Sequence, residues 1–386
     1  MKNSLHGKIR STRRIYFMRT KEMDQRKKKV LVLVADYPNN DGGVSLMYVH
    51  TRNIYYSHSG IDVTVLNFKA KEGYIYDGIR VISLKEYIQE KENYDILIVH
   101  AANIRNHYLF LKKYGDKFAH FIFFFHGHEV LKITKVYSQP YAYVHQNVIK
   151  KFLQDMYDTF KLTIWHYYYP KVKNKSRYVF VSNWMYKEFF ANTKIKKSKL
   201  EGCCSITYNS VGKEFQEGFY DIYAKKEYDF VTIRANLDGS KYCADLVNRL
   251  ARNTPEARFL LVGKGEFFKH FDKAPNVMWL DQRMNHEEIK KALNLSRYAL
   301  MPTRTDAQGL MMCEMAAFGI PVITSDIPVC HEVFDGFDNA FFIDNNDSNL
   351  NLKKFMAREE TLLKDKRFYI ENTVDKEVEI IKSLGD

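Results

Sequence analysis

The chain contains two successive series of short apolar runs rich in β-branched and aromatic residues, and an amphipathic stretch follows most of these runs. The first series opens at Lys29 and the second opens near residue 229. The later runs lie at 63–68, 96–99, 121–125 and 179–181, and then at 259–262, 277–280, 298–301 and 321–324. Buried strands that alternate with helices are typical of a parallel sheet covered on both faces. The sequence therefore predicts an α/β protein of two doubly wound domains that face a central cleft.

The length of 386 residues supports this division, because one hydrophobic core rarely serves a chain of that size. We assign 1–28 to a basic N-terminal extension, 29–205 to a first domain and 206–386 to a second domain. No apolar run reaches the roughly 18 residues that a membrane-spanning helix requires. The five cysteines are too few for a disulfide framework, which favours a cytoplasmic location.

The positive charge is concentrated in two regions. Residues 1–29 carry eleven Lys or Arg against two acidic residues, and 132–200 carry fourteen against three. The tail is expected to be solvated. The block 132–178 is rich in both Tyr and Lys, and it is either a helical excursion packed on its own domain or a surface for the acceptor or an anionic membrane. The second alternative predicts peripheral attachment to the inner face of the cell membrane.

The most specific motif is MPTRTDAQGLMMCEMAAFGIPVITSD at 301–326, between two predicted strands. It reads as a loop that leads into a helix, with Asp306 and Gly309 before the helix and Glu314 within it. A helix N-terminus beside a glycine offers unpaired N–H groups to a diphosphate. A carboxylate within the helix suits the paired hydroxyls of a sugar.

This segment resembles the donor signature of the retaining GT-B glycosyltransferases of group 1, which reads Glu-Gly-Phe-Gly, then Glu-Ala, then Gly-x-Pro-Val-Ile. The resemblance implies two Rossmann-like domains. It implies that Glu314 holds the ribose hydroxyls, that Asp306 holds the donor sugar, and that the amides of Gly309 and Leu310 hold the distal phosphate or sugar. Asp306 departs from the family's first Glu, and Gln308, also assigned to donor binding, departs from its aromatic residue.

Arg234 follows the first strand of the second domain, and Lys241 comes seven residues later. They resemble the Arg and Lys that neutralise the donor diphosphate in this family, although the family spaces them at five and has Gly where Tyr242 stands. Fixed cations stabilise the charge that develops on a leaving diphosphate. The alternative is that both residues are surface salt-bridge partners.

Three further positions in the second domain match the family less specifically. Gly263 belongs to a strand-then-Gly-x-Gly turn, which on its own indicates only a tight turn. Gln282 and Arg283 follow the strand at 277–280, where the family's loop meets the nucleobase. All three are assigned to donor binding.

In the first domain, Gly42 and Gly43 follow the first strand, as in the family loop near the donor phosphate. His126 follows the apolar run 121–125, at the strand edge where open α/β sheets place ligands. It matches the family histidine beside the donor sugar. His128 and Glu129 are too close to it in sequence to form a good metal cage, so we predict no metal and no cofactor.

The resemblance implies a hexosyltransferase that moves a sugar, with retention of configuration, from a nucleotide-sugar donor, for which UDP is favoured. The acceptor would be a glycan, a lipid-linked molecule or a protein, as in polysaccharide and cell-envelope biosynthesis. His126, Asp306, Arg234 and Lys241 would carry the reaction.

Two other functions were weighed. The departures at Asp306, Gln308 and Tyr242 suggest an inactive GT-B-like binding subunit that stabilises or recruits a partner glycosyltransferase. Nucleic-acid binding through the basic regions is not expected, since no recognition motif or stacking platform accompanies the charge.

Overall fold

A computed structural model describes residues 27–43, 45–144, 147–358 and 362–384. The predicted extension 1–28 lies almost wholly outside these residues. The strands are β1 Lys29–Val34, β2 Asp62–Asn67, β3 Tyr74–Tyr76, β4 Ile79–Ile82, β5 Ile96–His100, β6 His120–Phe125, β7 Ser176–Phe180, β8 Cys204–Ile206, β9 Tyr228–Asn236, β10 Phe259–Lys264, β11 Val277–Leu280, β12 Ser296–Leu300, β13 Val322–Ser325 and β14 Ala340–Ile343.

The α-helices occupy most of the connections between these strands. They are α1 Met47–His58, α2 Leu84–Glu90, α3 Leu109–Tyr114, α4 Ile133–Val136, α5 Val148–Val172, α6 Asn183–Thr193, α7 Lys213–Glu217, α8 Ala244–Asn253, α9 Phe267–His270, α10 His286–Asn294, α11 Leu310–Phe318, α12 Pro328–Phe334, α13 Lys353–Met356 and α14 Ile370–Ser383. A π-helical turn at Ile104–Tyr108 precedes α3, and 3₁₀ turns lie at Gly115–Lys117, Lys173–Lys175, Lys197–Leu200 and Ser240–Tyr242. No helix among the described residues is long and apolar enough to cross a bilayer.

The strands form two sheets, as the sequence predicts. The first has the order β3-β4-β2-β1-β5-β6-β7-β8, and the second has the order β11-β10-β9-β12-β13-β14. Neighbouring strands run parallel, except that β3 and β4 are antiparallel. In both sheets the strand order reverses beside the opening strand, β1 or β9, as in Rossmann folds. Such a reversal leaves a crevice at the carboxyl ends of the strands.

Strand β6 shows how the first sheet is buried on both faces. Phe121, Phe123 and Phe125 belong to the core on one side, whereas Ile122 and Phe124 belong to the core on the other. This division follows from the two-residue period of a strand. Because both faces are covered, the run is apolar throughout, which made it recognisable in the sequence.

The C-terminal helix α14 returns to the first domain. Val374, Val378 and Ile381 pack in the same core cluster as the strands of the first sheet. A buried ion pair joins α1 to this helix, because Arg52 Nε lies 3.1 Å from the carboxylate of Glu377. The assignment of 206–386 to a single second domain therefore does not describe α14, whose apolar face is buried on the other sheet.

The Tyr- and Lys-rich block 132–178 packs on its own domain, as the first alternative predicts, and it also contacts the second domain. Trp165 and Tyr169 on α5 are fully buried in the first domain. The segment before α5 crosses to the second domain, where the Tyr141 hydroxyl donates to Asp245 (2.9 Å) and the Tyr143 hydroxyl donates to Asp238 (2.6 Å). The outer face of α5 is exposed, as described below.

Candidate active site

A cleft of about 260 Å³ lies between the carboxyl ends of the two sheets. The first domain contributes a wall that we call the first-domain wall, formed by Tyr48, His126, Gly127, His128, Leu131, Tyr137 and Trp184. The opposite side, the second-domain wall, consists of Lys241 and residues 305–310. Asn209, in the segment that connects the sheets, also lines the cleft. The cleft therefore lies where the topology of both domains places a ligand.

Arg234 lies near the end of β9 and is almost wholly buried, with 8% of its surface exposed. Its Nη2 donates to the carbonyl of Pro302 at 2.8 Å, while its buried Nε has no partner among the described residues. Burial lowers the pKa of Arg234, and the charge of nearby Asp306 opposes that shift. The guanidinium stays charged at any physiological pH. The alternative of a surface salt bridge therefore does not describe Arg234.

Lys241 lies in the 3₁₀ turn Ser240–Tyr242 that follows β9. Its main-chain carbonyl accepts hydrogen bonds from the Arg304 N–H (2.9 Å) and the Thr303 hydroxyl (3.1 Å). Its ammonium lies over the ring of Tyr242, 4.6 Å from the centroid, and is also near Tyr137 of the first domain. The backbone is thus firmly held and the ammonium reaches the cleft.

The loop from Asp306 to Gly309 leads directly into α11. Asp306 Oδ1 accepts the N–H of Ala307 at 2.8 Å, which keeps the turn closed. Gly309 has a φ of +76°, and a Cβ there would come within 2.2 Å of the Met312 side chain. Glycine is therefore required at the helix start. The first N–H groups of α11, beginning with Leu310, open on the cleft wall.

Gln308 does not offer its side chain to a ligand. It is 1% exposed, its Oε1 accepts the N–H of Asn209 at 2.6 Å, and its Nε2 donates to the carbonyl of Asn209 at 3.0 Å. The sequence predicts that Gln308 binds the donor, whereas in the structure its side chain holds the loop against the backbone of Asn209. Asn209 in turn accepts a hydrogen bond from Arg52 at 2.9 Å, so Gln308 ties the loop to the connection between the domains.

Glu314 lies on α11, one turn beyond the cleft wall. Burial raises the pKa of Glu314 to about 8, and the charge of Glu214 adds a smaller rise, whereas a hydrogen bond from the Gly212 backbone opposes both. A half-buried carboxyl that is protonated at neutral pH is a group whose ionisation a ligand can alter. The carboxyl of Glu314 is therefore suited to form a hydrogen bond with a polar group of a ligand.

Gly263 closes the end of β10 against β9. Its φ is +155°, and a Cβ there would approach the carbonyl of Arg234 to 2.6 Å. The absence of a side chain at Gly263 therefore lets β10 lie close to the backbone of Arg234. Gln282 and Arg283 are exposed after the outermost strand β11, and Gly42 and Gly43 lie in the loop after β1; these four residues are not among those that line the cleft.

His126 directly follows β6 and lines the cleft. Its Nε2 lies 3.0 Å from Nδ1 of His100, a fully buried residue that stacks on Phe124. The ring of Tyr48 lies against it at a centroid distance of 4.7 Å. Burial, with smaller effects from Arg52 and His128, holds the pKa of His126 well below its usual range. His126 is therefore a neutral hydrogen-bonding group, oriented by His100.

Two buried charged residues, Glu129 and Lys161, hold the loop that carries His126. Glu129 is 2% exposed and accepts the N–H groups of His126 and of Gly127, the latter at 3.1 Å. Lys161 of α5 donates to the carbonyls of His128 (2.7 Å) and Leu131 (3.1 Å). Within the described ranges, no three His, Cys, Asp or Glu side chains are grouped so as to hold a metal ion.

Several cleft residues were missed in the sequence, namely Tyr48, Tyr137, Trp184 and Thr305. Trp184 lies in the first turn of α6, whose N–H groups at Asn183 and Trp184 bond to Glu332 of the second domain. Tyr48 is on α1. The aromatic residues do not belong to any recognisable sequence motif. For Trp184 alone there is a signal, because it lies at the start of the helix that follows β7, where ligands often bind.

Residues 230–365 match the family model described as glycosyl transferases group 1. Sucrose-phosphate synthase from Thermosynechococcus elongatus has a similar structure, with a TM-score of 0.68 and 14% identity over 93% of this chain and 99% of that one. A glycosyltransferase from Rickettsia africae follows with a TM-score of 0.64 and 15% identity, covering 93% and 98%. HepE from Anabaena, in complex with UDP and glucose, has a TM-score of 0.63 and 12% identity, covering 92% and 100%.

Among curated proteins, none matches the chain by sequence. The structural matches show a GT-B fold of two Rossmann-like domains. The family match covers the second-domain wall, including Lys241 and Asp306, together with Arg234 and Glu314 behind it. Together they show a GT-B fold whose second domain is similar to the glycosyl transferases of group 1.

Proposed function

We propose that this protein transfers a hexose from a nucleoside diphosphate, with UDP as the favoured nucleotide, to an acceptor hydroxyl with retention of configuration. The observation that carries the proposal is a cationic pair without an ion-pair partner among the described residues: Lys241 lines the same cleft as the N-terminus of α11, and Arg234 shares the ring of Tyr242 with it. Cations and helix N–H groups that meet at one point suit a diphosphate. The neighbour HepE, with UDP and glucose bound, supports the choice of UDP.

In the proposed reaction the bond between the anomeric carbon and the phosphate oxygen breaks as the acceptor oxygen attacks from the same face. The leaving diphosphate accepts the proton of the acceptor hydroxyl. Arg234 and Lys241 stabilise the charge on the departing phosphate, while Asp306 and neutral His126 orient the sugar hydroxyls. Glu314 accepts the ribose hydroxyls. We infer that neither a resident metal nor a cofactor takes part.

A thermal-shift panel of UDP-, GDP- and ADP-sugars tests the donor, because a ligand that binds the native state raises its stability. We expect a rise in Tm with one nucleotide series, and loss of that rise in Glu314→Ala. Glu217→Ala, at an exposed glutamate of the same domain, is the matched control and should keep the response. No shift with any donor would contradict the proposal.

An inactive binding subunit that recruits a partner glycosyltransferase is the alternative function. The pairing of cations with a helix N-terminus in one cleft argues against it, whereas the hydrogen bonds of Gln308 to Asn209 show one altered position. Release of free nucleotide from the donor identified above separates the two. Binding without any release, even with broad acceptor mixtures, would favour the binding subunit.

We also propose that the outer face of α5 attaches the protein to the inner face of an anionic cell membrane, where a lipid-linked acceptor would be reached. Side chains that share this face are largely exposed, and they are Val148, Ile149, Phe152, Leu153, Met156, Phe160 and Tyr167. Lys150, Lys151 and Lys171 lie on the same helix and are exposed. Apolar and aromatic groups beside lysines suit the interface of an anionic leaflet. A glycan or a protein remains the alternative acceptor.

Flotation with vesicles tests this attachment. We expect recovery with vesicles that contain anionic lipid and much less with neutral vesicles. Phe152→Ser and Phe160→Ser together should abolish it, whereas Phe219→Ser, a control at an exposed phenylalanine of the second domain, should not. Equal recovery with neutral and anionic lipid would contradict the electrostatic part of the proposal.

A further inference from the structure

Aromatic rings surround the ammonium of Lys241. It lies 4.6 Å from the ring centroid of Tyr242 and 5.7 Å from that of Tyr137. Within the part of the chain that the structure describes, no carboxylate oxygen lies within 4.0 Å of this ammonium. The ammonium is therefore held between one ring from each domain.

Arg234 shares the Tyr242 ring. Its guanidinium carbon is 5.1 Å from the centroid, so one tyrosine contacts both members of the cationic pair. The buried Nε of Arg234 has no hydrogen-bond partner in the described structure. Because a buried N–H without a partner is costly, this donor would be satisfied by a ligand atom or by an ordered water.

The way a cation is held decides whether it stays available to a ligand. A carboxylate neutralises a cation and competes with an incoming phosphate, whereas the face of an aromatic ring attracts the cation and leaves its charge in place. The ring of Tyr242 also fits its place closely, because a Cβ on Gly239 would lie only 3.0 Å from it. The ring is thus confined beside both cations.

We propose that Tyr242, assisted by Tyr137, is a positioning residue that holds Arg234 and Lys241 for the outer phosphate of a nucleoside diphosphate. The inference rests on the proposed function, since it names what prepares that same site. It also explains the departure from the related family, which has glycine where Tyr242 stands. Tyr137 is supplied by the first domain, so both rings contact the Lys241 ammonium only when the two domains are together.

Calorimetric titration of the full-length protein with UDP and with UMP tests the proposal, using Tyr242→Phe and Tyr242→Leu. Phenylalanine keeps the ring face and leucine keeps only apolar bulk. We expect Tyr242→Phe to bind UDP within about twofold of the wild type and Tyr242→Leu to bind UDP about tenfold more weakly, with UMP affinity changed less than about twofold. Tyr137→Leu should give a smaller loss, because its ring is farther from the ammonium.

Two results would overturn the inference. One is equal UDP binding by the phenylalanine and leucine variants. The other is an equal loss of UDP and UMP affinity, which would indicate that Tyr242 only fills space. Tyr223→Leu, at a tyrosine that is 91% exposed in the same domain, is the matched control and should bind both nucleotides as the wild type does. If the wild type itself does not bind UDP, the proposed UDP donor is wrong and the inference falls with it.

Discussion

The two walls of the cleft are built on sheets of the same topology, yet they offer opposite chemistry. The second-domain wall, with Arg234 behind it, presents fixed cations and a helix N-terminus. The first-domain wall presents neutral rings, among them His126, whose pKa is held low by burial. The comparison teaches that topology determines where a ligand lies, while the side chains at the strand ends determine which part of it each wall receives.

On this interpretation the diphosphate belongs to the second-domain wall, the sugar lies between Asp306 of that wall and His126 of the opposite one, and the acceptor belongs to the first-domain wall. The two walls should therefore respond differently to substitution. Changes on the second-domain wall should act on nucleotide affinity, and changes on the first should act on turnover.

The largest effect is expected from removing both cations. Arg234→Gln with Lys241→Gln should weaken UDP binding by at least about 1000-fold, since each charged contact to phosphate contributes roughly 2–3 kcal/mol. Calorimetry with UDP measures this loss. Lys264→Gln with Lys269→Gln, at exposed lysines of the same domain, is the control. A loss of less than tenfold in the double variant would break the proposed division between the walls.

On the opposite wall, His126→Ala should leave UDP affinity within about twofold and reduce turnover about 100-fold, as is typical when a preorganised hydrogen-bonding group is removed. Nucleotide release from the donor sugar measures turnover. His58→Ala is the matched control, because this histidine is exposed at the end of α1 and does not line the cleft. A large drop in UDP affinity in His126→Ala would place the diphosphate on both walls.

The pH dependence of UDP binding sharpens the role of Glu314. Its pKa of about 8 means that the free protein carries a protonated carboxyl below that pH, and binding of ribose hydroxyls to the carboxylate then requires loss of the proton. UDP affinity should therefore rise about tenfold from pH 7 to pH 9 and level off above pH 8. In Glu314→Gln it should stay flat, and a wild-type affinity that falls over this range would contradict the assignment.

The same carboxyl affects folding with a definite sign. Because the pKa of Glu314 is higher in the folded state than in the unfolded state, the folded protein binds this proton more tightly. The free energy of unfolding therefore falls as pH rises from about 4.5 to about 8, and Glu314→Gln should remove that part of the slope. Denaturant unfolding at pH 6 and pH 8.5 measures the difference.

Among the substitutions in the second domain, the smallest effect on nucleotide affinity is expected at Gln308, which joins the second-domain wall to the connection between the domains. Gln308→Leu leaves the backbone N–H and carbonyl of Asn209 without partners, so it should lower the free energy of unfolding by about 2 kcal/mol and UDP affinity by about threefold. Denaturant unfolding and calorimetry measure the two. Gln282→Leu, at an exposed position, should change stability by less than about 0.5 kcal/mol.

The residues of the second-domain wall could be placed together from the sequence because they follow one another in a short segment. Asp306, Gly309 and Glu314 lie on one loop and the helix it begins, so their spacing already places them together. The same local logic identified His126, which ends an unmistakable buried strand. The local sequence assigns Gln308 to the ligand. It does not reveal that both the oxygen and the nitrogen of the Gln308 side chain form hydrogen bonds with the backbone of Asn209, 99 residues away.

The sequence by itself determined the two sheets, the position of the crevice and the cationic character of one wall, because these depend on strand periodicity, helix starts and charge. Only the tertiary structure decided that α14 packs on the first sheet, that residues 138–144 cross to the second domain, and that Tyr137 and Tyr242 enclose Lys241. Contacts between distant segments depend on the complementarity of two surfaces, and neither segment carries that information alone.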